Sequence, residues 1–133
     1  MSLNEKIKVI DRRLICDDRG WFLKAITGME ENIPSHTGEV YLTMGKPGEI
    51  KGGHYHPEAV EWFTVIEGNA VLRLEDIVTR ERMEIPLNLE SAKTIYVPNN
   101  VAHDFKNVGD TNFIVLAYTD KLYDPKDTIA YKL

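Results

Sequence analysis

The sequence contains a single cysteine, Cys16, among its 133 residues, so the chain cannot form an internal disulfide. We therefore expect a reduced, cytoplasmic setting. The chain also lacks a long apolar run: the longest, Phe113–Tyr118, is far shorter than the roughly 20 residues that a membrane-spanning helix needs. Positive charge is not in excess, because the formal charge is −5 and the isoelectric point is about 5.4. Neither a membrane nor a nucleic acid is therefore an expected partner.

Two further patterns are missing. No apolar stripe of helical spacing extends beyond one turn at Glu30–Ile33, and no G-x-G-x-x-G loop offers a phosphate-binding site to a nicotinamide, so we expect no such cofactor. Short β-rich segments separated by turn residues are present instead, which predicts an all-β jelly roll or small barrel and one domain over residues 1–133. The segments are Lys8–Cys16, Trp21–Ala25, Glu39–Met44, Trp62–Ile66, Ala70–Glu75, Glu81–Leu87, Thr94–Val97 and Phe113–Tyr118.

Three of the four histidines belong to two short stretches. His54 and His56 lie in GEIKGGHYHPEAVEWFTVIEG, where Glu61 follows His56 by five positions, and His103 lies in VPNNVAHDFKN. Side chains at positions i and i+2 share one face of an extended strand, so the first two imidazoles can reach one ion. Strand parity sends Glu61 to the opposite face unless the chain bends, and Pro57 predicts such a bend.

Three imidazoles and a carboxylate form a nitrogen and oxygen ligand set that suits a divalent metal such as Zn, Ni, Fe, Mn or Co. We therefore predict that the four side chains converge on one metal site. The alternative is a group of unrelated polar residues on a β-rich surface, which would make their spacing accidental. The predicted ligands are His54, His56, Glu61 and His103.

The spacing of these residues resembles the two motifs of the cupin family. The first motif, G-x(5)-H-x-H-x(3,4)-E-x(6)-G, fits Gly48–Gly68 at every fixed position. In the second, G-x(5)-P-x-G-x(2)-H-x(3)-N, Ala92 and Asn100 replace the two glycines. Its proline, histidine and asparagine are matched by Pro98, His103 and Asn107. The resemblance implies a cupin double-stranded β-helix, a jelly-roll barrel with the ligands inside it.

Two other segments carry a narrower resemblance. Asp17–Phe22, DDRGWF, resembles the D-x-R-G-x-F segment of dTDP-4-keto-6-deoxysugar 3,5-epimerases and the related 3,4-ketoisomerases. The stretch GDTNFIVLAYTDKLYDPKDT resembles the C-terminal cupin domain of a bifunctional capsular-polysaccharide enzyme that epimerises a UDP-sugar. These resemblances imply an isomerase or epimerase of a nucleotide-linked 4-keto-6-deoxysugar in polysaccharide biosynthesis. They also imply a homodimer, for which Lys8–Cys16 and the segment around Trp21 offer strand edges that a partner can cover.

The same resemblance implies catalytic roles. In the 3,5-epimerases the base is the histidine of an R-G-L-H-x-Q segment, and His54 occupies its position. The acid in that family is a tyrosine on a late strand, for which Tyr118 is the nearest match and Tyr123 the reserve candidate.

Candidate substrate contacts follow from the same segments. Lys51 replaces the arginine of R-G-L-H-x-Q that contacts the nucleotide diphosphate, and it keeps the charge but loses the bidentate fork. Arg19 belongs to DDRGWF. Arg73 lies on an alternating strand and faces either the cavity, as a phosphate ligand, or the solvent.

The chain departs from the 3,5-epimerases at His56, where they have glutamine, and at Glu61, which completes a metal set that they lack. Because a coordinated imidazole has no free lone pair, His54 cannot be ligand and base at once. Either an ion polarises the keto oxygen, or the site is metal-free and His54 is the base. The ligand set also suits a metal-dependent dioxygenase or decarboxylase, and a small barrel can bind a ligand without turnover.

Overall fold

A computed structural model describes residues 1–36 and 38–133. In this part of the chain β-strands dominate, and the two largest sheets are antiparallel and five-stranded. The strands are β1 (Lys8–Asp11), β2 (Ile15–Asp17), β3 (Gly20–Phe22), β4 (Glu39–Gly45), β5 (Ile50–Tyr55), β6 (Glu61–Glu67), β7 (Asn69–Asp76), β8 (Arg82–Asn88), β9 (Lys93–Val97), β10 (Val101–Asn107), β11 (Phe113–Thr119) and β12 (Ile129–Ala130). One sheet has the order β1-β9-β6-β11-β4 and the other β12-β5-β10-β7-β8, while β2 and β3 form a hairpin. The all-β jelly roll predicted from the sequence is confirmed.

Helical structure is confined to two short elements in the described residues. Helix α1 (Leu3–Lys6) is capped at its N-terminus by Ser2, whose hydroxyl accepts from the Glu5 N–H at 3.3 Å, and a 3₁₀ turn spans Pro125–Asp127. The turn expected at Glu30–Ile33 is present, because the Ile33 N–H donates to the Glu30 carbonyl at 3.2 Å. None of these helices is long or apolar enough to cross a membrane.

The core lies between the two five-stranded sheets, and strand β11 shows how alternation builds it. Phe113, Val115 and Ala117 are fully buried, whereas Leu116 and Tyr118 are half-buried on the opposite face. Burying a large apolar side chain contributes about 1.5–3 kcal/mol, so this face fixes the register of the strand. Both sheets supply the other large core residues, among them Phe63, Val65, Ile95 and Val97 from one sheet and Leu72, Leu74, Leu87 and Phe105 from the other.

One turn explains how the second cupin motif tolerates a missing glycine. Asn100 stands at a glycine position of the motif and adopts a left-handed backbone with φ +61°. Asparagine enters this region more readily than most residues, so the substitution preserves the turn. The Asn100 N–H donates to the His56 carbonyl at 2.9 Å, which connects this turn to the segment that carries two of the predicted ligands.

Most predicted strand segments are confirmed, and the differences have local causes. Lys8–Cys16 is divided into β1 and β2, and β3 ends at Phe22 rather than Ala25. Strands β5 and β10 were not among the predicted segments. Strand β5 contains Gly52 and Gly53, and polar residues break the apolar pattern in β10, so neither shows the alternation that marks a half-buried strand.

Candidate metal centre

The four predicted ligands come from three strands that meet at one end of the barrel. His54 lies in β5, His56 follows that strand, Glu61 begins β6 and His103 lies in β10. Each offers one ligand atom, and these four atoms all lie within 4.8 Å of one another. His54 and His103 are direct partners in the antiparallel ladder between β5 and β10, and their ring centroids are 5.0 Å apart. The structure therefore brings the predicted metal-ligand residues together.

Two glycines shape the strand that carries the first histidines. Gly52 and Gly53 have φ values of +96° and +88°, and the pairing of β5 with β10 shifts register next to His103. A side chain at Gly52 would place its Cβ 3.1 Å from the His103 carbonyl oxygen. Glycine thus permits a bulge and a close approach between the two ligand-bearing strands.

The bend predicted at Pro57 is also present. The chain leaves the strand conformation after Tyr55 and resumes it at Glu61, which pairs with Thr119 of β11 and Val97 of β9. Glu61 is 3% exposed, and its carboxylate faces the histidines. In a continuous strand Glu61 would face away from the histidines, and the irregular connection lets it face them instead.

Hydrogen bonds on the outer ring nitrogens orient two of the histidines. His103 Nδ1 lies 3.0 Å from the Val101 carbonyl oxygen, and His56 Nδ1 lies 2.8 Å from the Asp127 carbonyl oxygen. A carbonyl can only accept, so each Nδ1 carries the proton and donates it. In its neutral form each ring then presents its Nε2 lone pair to the cluster, and such outer hydrogen bonds hold an imidazole in the orientation that a metal needs.

The polar atoms left without hydrogen bonds fit a divalent metal. His56 Nε2, His103 Nε2 and Glu61 Oε1 are buried and make no hydrogen bond. Glu61 Oε1 nevertheless lies 2.8 Å from His56 Nε2 and 3.4 Å from His103 Nε2. Buried polar atoms are rarely left unpaired, and three clustered acceptors would be satisfied together by one cation. The donor set therefore fits the predicted ion.

Tyr41 makes a hydrogen bond to the other oxygen of the Glu61 carboxylate. Its hydroxyl donates to Glu61 Oε2 at 2.6 Å, which leaves Oε1 as the oxygen that faces the histidines. Burial and the Glu61 charge raise the pKa of Tyr41 well above its usual value, so the phenol keeps its proton. The sequence analysis missed this residue, although the parity of β4 places Tyr41 opposite the inward-facing Ala117.

Electrostatics favour a neutral His54 ring beside an ionised Glu61, whereas Glu61 raises the pKa of His56 against the effect of its burial. Burial, reinforced by His103 and His56, lowers the pKa of His54 to about 4. Burial alone would raise the pKa of Glu61, but the adjacent His103 and His56 rings and the hydrogen bond from Tyr41 outweigh it and hold that pKa well below its usual range. Neutral imidazole and ionised carboxylate are the forms that bind metal.

A cavity of about 300 Å³ opens onto the cluster. Its lining includes His54, His56 and Glu61, together with Tyr41 and the segment that follows β11. Tyr123, the reserve candidate for the acid, lines it and is 69% exposed. Lys121, which the sequence analysis did not single out, is the one basic side chain among the lining residues.

Four other predicted site residues lie elsewhere. Tyr118 is on the outer face of β11, where its ring packs 5.6 Å from that of Trp62, because parity turns it away from Ala117 and Thr119. Arg73 makes two hydrogen bonds to Asp104, at 2.7 and 2.6 Å, and Arg19 pairs with Asp17 in the exposed β2–β3 hairpin. Lys51 is exposed on β5, opposite Phe105. None of the four lines the cavity.

Comparison with known proteins supports the cupin barrel. The described chain superposes on a dTDP sugar isomerase from Desulfovibrio desulfuricans with a TM-score of 0.86 over 95% of this chain and 83% of that one, at 20% identity, which establishes the cupin fold. Residues 15–131 match the family model described as the polysaccharide biosynthesis C-terminal domain. The chain belongs to this family.

Three further similar proteins match most of this chain, and two of them are much longer than it. A UDP-2-acetamido-2,6-beta-L-arabino-hexul-4-ose reductase from Pseudomonas aeruginosa is 29% identical over 115 residues, which is 86% of this chain and 29% of that protein. The spore coat polysaccharide biosynthesis protein SpsL of Bacillus subtilis is 27% identical over 82% of this chain and 75% of its own. The capsular polysaccharide assembling protein CapF of Staphylococcus aureus has a TM-score of 0.69 at 27% identity, over 92% of this chain and 34% of that one. The chain thus spans less than a third of the Pseudomonas reductase and about a third of CapF.

Proposed function

We propose that this domain is an isomerase or epimerase that acts on a nucleotide-linked 4-keto-6-deoxysugar by enolisation at a metal-containing site. The observation that carries the proposal is the group of three unpaired buried acceptors, His56 Nε2, His103 Nε2 and Glu61 Oε1, beside an open cavity. The relatives suggest a substrate class, because their names describe a dTDP sugar isomerase, a UDP-hexulose reductase and a spore coat polysaccharide biosynthesis protein.

The chemistry requires stabilisation of a negative oxygen. A 4-keto sugar has acidic C–H bonds at C3 and C5 because the carbonyl stabilises the enolate, and donors or charge at the keto oxygen lower the barrier. A divalent ion held by His54, His56, Glu61 and His103 would polarise that oxygen as a Lewis acid. Zn, Ni, Fe and Mn all suit this mixed ligand set. No nicotinamide takes part in the proposed reaction.

A proton donor is also needed, and the cavity favours Tyr123 over Tyr118. Tyr123 lines the cavity, whereas Tyr118 packs on Trp62 on the outer face of the barrel. Tyr41 is closer to the ligands, but its proton is engaged by Glu61 and its raised pKa makes it a poor acid. We therefore assign the acid role to Tyr123.

Enolisation also needs a base that takes the proton from the sugar carbon, and His54 can take it in an arrangement in which it is not a metal ligand. Unlike His56 and His103, His54 makes no hydrogen bond through its ring to another part of the described chain, and like His56 it is half-buried. Its neutral ring has a lone pair available to a substrate in the cavity. In this arrangement His56, His103 and Glu61 alone would hold the ion, as two histidines and one carboxylate do in other metal sites.

The diphosphate of the substrate would need a cation near the cavity. Lys121 is the basic residue that lines it, and we propose Lys121 as the contact that the sequence did not single out. Lys51, exposed on the strand that carries His54, remains a proposed contact. Arg73 is occupied by Asp104, and Arg19 pairs with Asp17 in the exposed hairpin, outside the residues that line the cavity.

The proposal is tested by deuterium incorporation from solvent. The protein is incubated in D₂O with a panel of dTDP- and UDP-4-keto-6-deoxysugars, and the recovered sugars are examined by NMR for deuterium at C3 or C5. We expect uptake by the wild type and by Tyr118→Phe, and uptake at least about 100-fold slower in Tyr123→Phe, since a positioned acid contributes 10²–10⁴-fold.

Controls separate the remaining alternatives. His54→Ala that keeps its metal but loses exchange would make His54 the base, whereas loss of both would make it a ligand. No deuterium uptake with any sugar tested would contradict the proposal. Oxygen consumption in an iron-loaded protein would then favour a dioxygenase, and substrate binding without turnover would favour a binding module.

A further inference from the structure

We infer that Asp127 is a positioning residue for the metal centre, which holds His56 and Glu61 in place through the connection between them. The inference rests on the metal centre proposed above. Asp127 is 7% exposed and lies in the 3₁₀ turn after β11, far from both ligands in sequence. It makes three hydrogen bonds to the segment from His56 to Ala59, and each has a distinct effect.

The carboxylate holds the turn between the two ligands. Asp127 Oδ1 accepts from the Glu58 N–H at 2.8 Å, and Oδ2 accepts from the Ala59 N–H at 3.0 Å. These two backbone donors lie in the irregular connection that turns Glu61 towards the histidines. Each hydrogen bond to a charged acceptor is stronger than a neutral one, so a single side chain fixes the path of the connection.

The backbone of the same residue sets the tautomer of His56. The Asp127 carbonyl oxygen lies 2.8 Å from His56 Nδ1 and keeps the proton on that nitrogen. His56 Nε2 is then left as a lone pair that faces Glu61 Oε1, 2.8 Å away. An outer contact that fixes ring orientation and tautomer in this way raises the affinity of a histidine for its ion.

The segment that carries Asp127 is itself secured against the ligand strand. Strand β12, two residues further on, pairs with β5 through Ile129 and Tyr55 and through Ala130 and His54. The Tyr131 N–H donates to the Gly53 carbonyl at 2.8 Å, and the Tyr131 hydroxyl bonds to the buried Glu75. The segment that carries Asp127 is therefore held against β5 by backbone pairing and by the hydrogen bond between Tyr131 and Glu75.

A purely structural role predicts a different result from a positioning role. If Asp127 only stabilises the fold, its removal lowers the unfolding free energy and leaves the metal affinity of the folded protein unchanged. If it positions the ligands, the affinity falls as well, by about 10–100-fold, as is typical for outer contacts of metal-bound histidines.

The test measures Zn²⁺ affinity by competition with a chromophoric chelator, and the unfolding free energy of the metal-free protein by urea denaturation. Asp127→Ala removes both acceptor oxygens, and Asp127→Asn keeps one of them. The matched control is Asp76→Ala, because Asp76 is also a buried carboxylate that accepts from two backbone N–H groups, those of Val78 at 2.9 Å and Thr79 at 3.2 Å, but lies outside the cluster.

We expect Zn²⁺ affinity to fall about 10–100-fold in Asp127→Ala and by less in Asp127→Asn, while Asp76→Ala loses stability and keeps wild-type affinity. The absorption bands of the Co²⁺-loaded protein should change in Asp127→Ala and not in Asp76→Ala. Equal affinities and equal spectra in wild type and Asp127→Ala would overturn the positioning role alone. A wild type that takes up neither ion would overturn the metal centre, and the positioning role with it.

Discussion

Glu30 is a buried carboxylate that holds the irregular segment between β3 and β4 against the barrel. It pairs with Arg12 and accepts from Thr27 N–H and Oγ1 at 3.0 and 2.9 Å and from Gly28 N–H at 2.9 Å. Arg12 Nε donates to Thr94 Oγ1 on β9 at 2.9 Å. The substitution Glu30→Gln preserves the shape of the side chain and removes its charge, so we expect it to lower the unfolding free energy.

The size of the effect follows from the pKa of Glu30. Burial alone would raise this pKa, but hydrogen bonds from Arg12 and Thr27 outweigh it and lower the pKa from 4.5 to about 2. A folded-state pKa below the unfolded one contributes stability that is fully present above pH 4.5 and is lost as the pH falls through about 2. The contribution is about 3 kcal/mol at pH 7 and about 1.4 kcal/mol at pH 3.

Urea denaturation of wild type and Glu30→Gln at pH 7 and pH 3 checks this prediction. The deficit of the variant should be about 3 kcal/mol at pH 7 and should fall to roughly half at pH 3. The exposed neighbour Glu31 provides the control, because Glu31→Gln removes the same charge and should change stability by less than about 0.5 kcal/mol. A deficit that is equal at both pH values, or one below about 1 kcal/mol at pH 7, would refute the reasoning.

Three further predictions follow. Gly68→Ala should cost at least about 1–2 kcal/mol in urea denaturation, since φ is +77° and the new Cβ would lie 2.3 Å from the Asn112 carbonyl oxygen; an unchanged midpoint would contradict this. Tyr41→Phe should cost the metal-free protein about 1.5–3 kcal/mol by removing the bond to Glu61, and equal stability would show that bond to be unimportant. Light scattering at micromolar concentration should show a homodimer, twice 15.2 kDa, that covers the 52% exposed Trp21; a monomer would count against it.

The residues of the candidate metal centre could be picked out from the sequence because their spacing is a local pattern. The pattern from His54 to Glu61 places three of the predicted ligands in one short segment, and Pro57 predicts the bend within it. The position of His103 beside them followed only from the second cupin motif, since nothing in β10 alone indicates which strand it joins. In the structure this pairing depends on Gly52, whose missing side chain lets β5 approach β10.

The residues around the ligands could not be predicted because they depend on pairing between distant segments. Tyr41 faces the site only because β4 aligns with β11, where Tyr118 points the other way. Asp127 reaches across 68 and 69 residues to the Ala59 and Glu58 N–H groups, and no sequence pattern marks such a contact. The alternation of side chains predicts which residues share a face of a strand. Which residues of other strands that face contacts depends on the topology of the sheet, which the alternation does not reveal.

The central claim, that this barrel holds a divalent metal with the predicted ligands, is tested most directly by elemental analysis of purified protein. His103→Ala removes a buried ligand, and His36→Ala removes the remaining histidine, which lies on the exposed surface outside the cluster. We predict about one transition-metal ion per chain in wild type and in His36→Ala, and its loss in His103→Ala. Equal metal content in wild type and His103→Ala would contradict the ligand assignment and favour the metal-free epimerase with His54 as its base.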